Sequence, residues 1–173
     1  MHSGKTDTIL KALMALMVMA LVFVVAEAMR ERIVQAGDSA PNFRITADNG
    51  KVMTRSDFGG KLLVLNFWAT WCPPCVQEMP SLDEMQQRFK DKGLVVLAVS
   101  VDRNEQSYKE FLRRLPVSFV TARDPEANIS SEYGTYKYPE TYIIDSKGKV
   151  VAKYINFQNW TSAEILQQLE RLL

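Results

Sequence analysis

Two continuous apolar runs, separated by a helical pattern, restrict the fold of this chain more than any other feature. The runs are Leu62–Trp68 (LLVLNFW) and residues 94–101 (LVVLAVSV). Runs without strict alternation are typical of strands that are buried on both faces of a sheet. Residues 73 to about 90, between the runs, carry apolar side chains at helical spacing. A strand, a helix and a second buried strand in this order predict a β-α-β unit.

Weaker patterns extend this unit on both sides. Segments 42–45 and 51–54 flank Asn49-Gly50, which is a strong hairpin signal. Later patterns predict helices at 105–115, about 125–133 and 162–172, and strands at 117–121, 141–144 and 149–155. The predicted order is a hairpin followed by β-α-β-α-β-α-β-β-α, which is an α/β fold.

An apolar segment near the N-terminus bears on where the protein resides. Residues 12–26 (ALMALMVMALVFVVA) carry no charge. As a helix they rise roughly 22 Å, short of the roughly 30 Å hydrocarbon core, and a snorkelling Lys11 lets the apolar residues before it extend the span. The triplet A-E-A that ends at Ala28 equally fits the pattern of a signal-peptide cleavage site. Residues 1–28 are therefore expected to be a membrane anchor or a signal peptide, and the apolar character of every face argues against a core helix.

With either an anchor or a signal peptide, the rest of the chain is expected to be exported. It is expected to consist of a tether at residues 29–37 and one domain at residues 38–173. Disulfides form and persist in extracytoplasmic compartments. The net charge of +1 gives no indication of a nucleic-acid partner.

The only two cysteines, Cys72 and Cys75, lie where the first buried strand gives way to its helix, in WATWCPPC. A structural disulfide gains stability from the length of the loop that it closes, so such a short loop gains little. A structural zinc site takes four cysteine or histidine ligands, whereas the single histidine is His2. A C-x-x-C pair beside a β-α-β pattern is instead typical of a thioredoxin-like redox pair. We expect a reversible disulfide without metal or cofactor, and a two-thiolate copper site is the weaker alternative.

Three motifs follow one another along the chain: A-P-N-F, V-L-N-F-W-A-T-W-C-P-P-C and Y-P-E-T-Y-I-I-D. Together, over roughly residues 37–173, the sequence resembles membrane-tethered thioredoxin-like proteins of the TlpA, ResA and CcmG type. The resemblance implies a thioredoxin-like fold with an N-terminal β-hairpin extension, a central mixed sheet flanked by helices, and one apolar helix ahead of them. It also implies thiol-disulfide oxidoreductase activity in the periplasm or at the outer face of the inner membrane, with the protein anchored or secreted.

The same resemblance suggests the partners. Members of this family mostly act as reductants, often in cytochrome c maturation. The expected partners are a disulfide-containing protein substrate, such as an apocytochrome c, and a membrane electron donor that reduces the cysteines again. We also expect a monomer that contacts the membrane through its N-terminal helix where that helix is not cleaved.

Cys72 is the expected nucleophile because it lies at the N-terminal edge of the predicted helix. Unpaired N–H groups and the positive end of the helix dipole favour a thiolate there, which lowers the thiol pKa. Cys75, one turn inside, is the expected resolving thiol, which closes the disulfide and releases reduced substrate. Pro73 and Pro74 stiffen the loop and remove N–H donors, and so bear on the redox potential.

The segments beside the cysteines are expected to bind substrate. Trp71 either offers an apolar docking surface or only packs against the domain. The resemblance implies that Pro139 is a cis-proline facing the dithiol, and that Tyr138 offers its backbone to an extended peptide, as in strand addition. A proline that merely begins a strand is the alternative.

Helical spacing places Glu78 one turn beyond Cys75, among the apolar residues of the helix. Burial raises the pKa of a carboxyl group, so Glu78 is the expected acceptor of the proton that Cys75 must lose before it attacks. Asn66, at the position where thioredoxin carries a buried aspartate, cannot relay that proton. The alternative for Glu78 is a solvated charge or an ion pair with Arg88 or Lys61.

Other functions fit the sequence less well. A peroxiredoxin requires threonine three residues before its reactive cysteine, where this chain has Ala69. A copper-delivery module is expected to add a histidine beside its thiols. A thioredoxin-fold adaptor can be distinguished from an enzyme because it lacks disulfide-reducing activity. An oxidant can be distinguished from a reductant by its reduction potential.

Overall fold

Helix α1 (Ser3–Ala28) forms the first of two units, which comprise residues 1–32 and 33–173. The computed structural model describes residues 3–28 and 33–173, with the side chains of α1 described from residue 8 to residue 25. Thr8–Val25 has a mean hydropathy of 2.5, and no part of it is buried. By length and composition this segment can cross a membrane, a property that anchors and signal peptides share.

The second unit is built on a mixed sheet of five strands and a separate two-stranded hairpin. The strands are β1 (Arg44–Thr46), β2 (Val52–Thr54), β3 (Leu62–Trp68), β4 (Leu94–Ser100), β5 (Val120–Arg123), β6 (Glu140–Ile144) and β7 (Val150–Ile155). The helices are α2 (Pro73–Phe89), α3 (Glu105–Arg114), α4 (Asn128–Glu132) and α5 (Ala163–Leu172), with short 3-10 turns at Arg55–Phe58 and Lys90–Lys92. The hairpin pairs β1 with β2, and the sheet has the order β5-β4-β3-β6-β7. β3 runs parallel to β4 and antiparallel to β6, so the predicted mixed α/β architecture is confirmed.

Strand β3 is the centre of the unit, and all of its residues are buried. Successive residues of a strand point to opposite faces of the sheet. Val64 accordingly packs in one apolar cluster with Met79 of α2, while Phe67 packs in the other cluster with Ile45 of the hairpin. Because both faces are covered, the end of β3 is held firmly at the point where the chain turns into α2.

Two elements begin about three residues later than the sequence pattern predicts. The loop ahead of β5 is held by Asp83 of α2, whose Oδ1 accepts hydrogen bonds from the N–H of Ser118 at 2.5 Å and from its hydroxyl at 2.7 Å. This N–H therefore does not join the sheet, and β5 begins at residue 120 instead of 117. α4 begins at residue 128 instead of about 125 because Ala127 has a φ of 55°, outside the right-handed helical region.

Part of the segment predicted as a tether belongs to the second unit. The N–H of Val34 donates to the carbonyl of Tyr133 at 3.1 Å, and the N–H of Gly37 donates to the carbonyl of Val150 at 2.8 Å. Lys153 Nζ also donates to the carbonyl of Val34 at 3.1 Å. Residues 34–37 thus lie along the domain and do not extend freely from it.

Candidate active site

The two cysteines form a disulfide at the N-terminus of α2. Cys72 is the residue that caps the helix, and its Sγ accepts a hydrogen bond from the N–H of Cys75 at 3.3 Å. Pro73 and Pro74 occupy the first helical positions, where an N–H would have no partner within the helix. Cys72 is 6% exposed and Cys75 is 0% exposed, so only Cys72 offers a sulfur to an incoming group. Capping and the helix dipole would stabilise a thiolate on that sulfur once the disulfide opens.

An aromatic pair stands beside Cys72. Trp71 is 63% exposed, and its ring meets that of Tyr138 edge to face, with centroids 6.1 Å apart. The peptide bond between Tyr138 and Pro139 is cis, and Pro139 is buried. Among the described residues, the backbone N–H and C=O of Tyr138 make no hydrogen bond. These two groups are therefore available to an extended peptide that lies next to the disulfide.

A groove of about 540 Å³ adjoins the aromatic pair. Trp71 and Tyr138 line it together with Val101 and Arg103, from the loop after β4. Because Trp71 directly precedes Cys72, the groove begins beside the reachable sulfur. With this volume and its opening to solvent, the groove can receive side chains of a bound polypeptide.

Glu78 lies inside the domain, as its helical spacing predicts, with 1% of its surface exposed. Its Oε1 accepts a hydrogen bond from Asn66 Nδ2 at 2.9 Å, and its Oε2 accepts one from the N–H of Gln158 at 3.1 Å. Burial raises the pKa of Glu78 to about 7, against the opposing effect of these hydrogen bonds. Among the described residues the expected alternatives do not occur: Glu78 is buried, Arg88 pairs with Glu170 at 3.5 Å, and no ion pair joins Lys61 to Glu78.

Sequence reasoning missed further buried carboxyl groups, of which the least exposed is Glu140, directly after Pro139. It lies opposite Phe67 in the register of β3 and β6, whereas Thr141 lies opposite Asn66, so the two side chains leave β6 on opposite faces. Glu140 Oε1 pairs with Lys153 and accepts a hydrogen bond from the hydroxyl of Tyr142 at 2.8 Å. This carboxylate is on the far side of the sheet from Glu78, and its polar partners give it a structural role. The only sequence signal was a charged residue at the start of an apolar strand.

Comparison with known proteins assigns the family. Residues 36–153 match the AhpC/TSA family. The thiol-disulfide oxidoreductase ResA of Bacillus thuringiensis is 35% identical over 144 residues, which are 83% of this chain and 80% of that protein. The thioredoxin-like protein YneN of Bacillus subtilis is 36% identical over 140 residues, 79% of this chain and 80% of that protein.

A solved structure supports the same family assignment. A protein from Chlorobium tepidum, assigned as the thiol:disulfide interchange protein DsbE, has a TM-score of 0.75 at 33% identity, covering 82% of this chain and 99% of that one. The predicted thioredoxin-like fold is thereby confirmed. This chain belongs to the AhpC/TSA family, as a thioredoxin-like thiol-disulfide oxidoreductase similar to ResA.

Proposed function

We propose that this protein reduces disulfides of exported proteins through Cys72 and Cys75. The observation that carries the proposal is the unequal exposure of two bonded sulfurs at a helix N-terminus beside an open groove. The thiolate of Cys72 attacks one sulfur of a substrate disulfide, and the other substrate sulfur leaves as a thiolate. The thiolate of Cys75 then attacks Cys72 Sγ, which releases the second substrate thiolate and forms the disulfide seen here.

Glu78 is the proposed acceptor of the Cys75 proton. Residues three apart on a helix are neighbours, so the carboxyl group and the resolving thiol share one buried face of α2. A buried thiol has no access to water as a base, whereas a carboxyl group with a pKa of about 7 both takes and returns a proton near neutral pH.

Trp71, Tyr138 and Pro139 are the proposed substrate-binding residues. The free backbone groups of Tyr138 are the support for a peptide bound as an additional strand. The groove beyond Trp71 would then hold the side chains that follow the substrate cysteine. Residues 1–28 are proposed to export the domain and to hold it at the membrane where they are not cleaved, supported by the apolar helix α1. From the family resemblance, we propose an apocytochrome c as substrate, a membrane protein as electron donor, and a monomeric state.

Reduction of insulin tests the activity. Protein carrying Cys72→Ser should lose all activity, and protein carrying Cys75→Ser should accumulate a mixed disulfide, because attack then proceeds without resolution. Insulin reduction by the Cys72→Ser variant at the wild-type rate would exclude the proposed reaction, and a wild type that does not reduce insulin would favour a non-enzymatic adaptor.

The reduction potential of the pair tests the direction of electron flow. A value near roughly −270 mV, as in thioredoxin, agrees with a reductant, and one near roughly −120 mV makes the protein an oxidant.

A further inference from the structure

Asn66 is a polar residue in the middle of an otherwise apolar strand, and it is fully buried. Its Nδ2 donates two hydrogen bonds, to Glu78 Oε1 at 2.9 Å and to Thr141 Oγ1 at 2.8 Å. Among the described residues, its Oδ1 has no hydrogen-bond partner. A buried acceptor without a partner is costly, so this amide is held by one end only.

The two ends of an amide are nearly equal in size, so rotation by 180° exchanges them without moving the neighbours. In the orientation described above, Asn66 donates to an ionised Glu78, which accepts hydrogen bonds only. In the reversed orientation, Oδ1 faces the same two neighbours and accepts from the hydroxyl of Thr141. A protonated Glu78 has an O–H to donate, and Oδ1 accepts that as well.

Each orientation leaves one end of the amide without a partner, at the same place in the core. The cost of that unpaired end is therefore similar in both, and the proton on Glu78 decides between them. We propose that the Asn66 side chain reverses its amide when Glu78 gains or loses its proton, so that Asn66 is the positioning residue for both forms of this carboxyl group.

The remaining groups around Glu78 do not replace Asn66. On α2 the titratable neighbour is Cys75, which is held in the disulfide. The loop after β7 contributes the N–H of Gln158, a donor in either state, and Trp160, whose indole N–H is buried without a geometric partner among the described residues. Within residues 3–28 and 33–173, no charged side chain is among the influences on Glu78. Of these residues, only Asn66 offers an acceptor as well as a donor to this carboxyl group.

The consequence for the proposed function is a proton acceptor that is stabilised in both of its states. Donors alone would hold Glu78 ionised, and acceptors alone would hold it protonated. With the reversible amide, Glu78 takes the proton of Cys75 without leaving an unpaired O–H in the core. This consequence rests on the proposed role of Glu78, whereas the reversal of the amide does not.

The test is an NMR titration of the full-length oxidised chain in detergent micelles, with ¹³C-labelled glutamate and ¹⁵N-labelled asparagine. The side-chain amide signals of Asn66 should shift with the same midpoint as the carboxyl carbon of Glu78. In the Glu78→Gln variant, the same amide signals should no longer depend on pH. Amide signals that stay constant while Glu78 titrates in the wild type would overturn the proposal, and this readout requires no variant to fold.

Variants supply the second readout. Hydrogen bonds to a charged acceptor are about twice as strong as neutral ones, so Asn66→Leu should raise the Glu78 midpoint by about one pH unit. Thr141→Val is the matched control, since Thr141 supports both orientations and its loss should shift the midpoint by less than about half as much. An unchanged midpoint in Asn66→Leu, or an equal shift in Thr141→Val, would contradict the proposal.

The two proposals fail separately. If Glu78→Gln left the rate of disulfide exchange unchanged, the proposed role of Glu78 as proton acceptor would be refuted. The proposed coupling between the Asn66 amide and the titration of Glu78 would not be affected.

Discussion

Glu78 is a carboxyl group inside the domain, one turn along α2 from Cys75, the proposed resolving thiol, and burial raises its pKa to about 7. The folded protein thus disfavours the ionised form relative to the unfolded chain, whose reference value is 4.5. The corresponding stability is fully present below pH 4.5 and is lost as the pH rises through 7. The same shift that makes Glu78 suitable as a base also costs the domain stability at neutral pH.

Unfolding of the oxidised protein at several pH values tests this statement. Between about pH 4 and pH 8, ionisation of Glu78 should lower the free energy of unfolding by about 3 kcal/mol. In Glu78→Gln this part of the decline should vanish. The pKa values of Asp57 and Glu105 are lowered by exposed hydrogen bonds. Both residues are present in the wild type and in the variant, so their effects cancel in the difference between the two unfolding free energies. Parallel stability curves for the two proteins would refute the assigned pKa.

The rate of disulfide exchange provides a second prediction for the same residue. Glu78→Gln should slow resolution of the mixed disulfide at pH 7 on the order of 100-fold, because Cys75 then lacks a proton acceptor. The difference in rate between the variant and the wild type should become smaller toward pH 9, where the thiol ionises by itself. Rapid-mixing kinetics from pH 5 to pH 9 measure both effects. Glu84→Gln, an exposed change on the same helix, is the control and should match the wild type.

The residues of the candidate site differ in how far the sequence could predict them. The burial of Glu78 follows from local spacing, since a helix repeats its faces over a few residues. Its hydrogen-bond partners do not, because Asn66 and Gln158 lie 12 and 80 positions away in the chain. The pairing of Asn66 with Thr141, over 75 positions, depends on the register of two antiparallel strands. Only the folded sheet determines that register.

At the scale of elements, the buried pair of Glu140 and Lys153 connects the start of β6 to β7 and to the segment at Val34. Lys153 Nζ also lies 4.9 Å from the centre of the Tyr142 ring. The ammonium group of Lys153 thus contacts a carboxylate, a backbone carbonyl and an aromatic ring. Removal of that cation would leave the Glu140 carboxyl group in the core without its ion-pair partner, which is far more costly than the loss of both charges.

Lys153→Met should therefore destabilise the protein by about 3 to 5 kcal/mol. The double variant Lys153→Met with Glu140→Gln should recover most of this loss, because no buried charge remains. Guanidinium unfolding at one pH measures the set of variants. A double variant no more stable than the single one would mean that Lys153 acts through packing and not through its charge.

The pair of Trp71 and Tyr138 joins the loop before α2 to the loop before β6. Trp71→Ala should raise the KM for a protein substrate by roughly threefold to tenfold, since an aromatic contact between Trp71 and the substrate would contribute about 0.5 to 1.5 kcal/mol beyond its buried area. The reduction potential should change little. Tyr136→Ala, at an equally exposed ring outside this pair, is the control. A KM equal to that of the control would leave Trp71 without a role in binding.

Elements within the centre of the sheet were the most predictable. β3 is apolar except for Asn66 and coincides with its predicted bounds, because a strand buried on both faces has little freedom in composition. β5 lies at the edge of the sheet, and its start is decided by a contact of Asp83 with Ser118 across 35 positions. Local patterns contain no information about such a contact.

At the scale of the whole molecule, the proposed export can be tested by fractionation of an expressing bacterium. The protein should be found outside the cytoplasm, either in the membrane fraction or as a soluble form that begins after Ala28. Mass spectrometry of the N-terminus distinguishes an anchor from a cleaved signal peptide. Full-length protein that is soluble in the cytoplasm would contradict both expectations.

The complete burial of Cys75 has a consequence for the order of events in turnover. In the proposed reaction, electrons enter and leave the protein through the sulfur of Cys72, because Cys75 is 0% exposed. The proposed donor and the substrate would then compete for the same docking surface, and they could not be bound productively together. Each reaction must finish before the other begins. Steady-state rates measured against both partners should give parallel double-reciprocal lines, and a large excess of either partner should inhibit the reaction with the other.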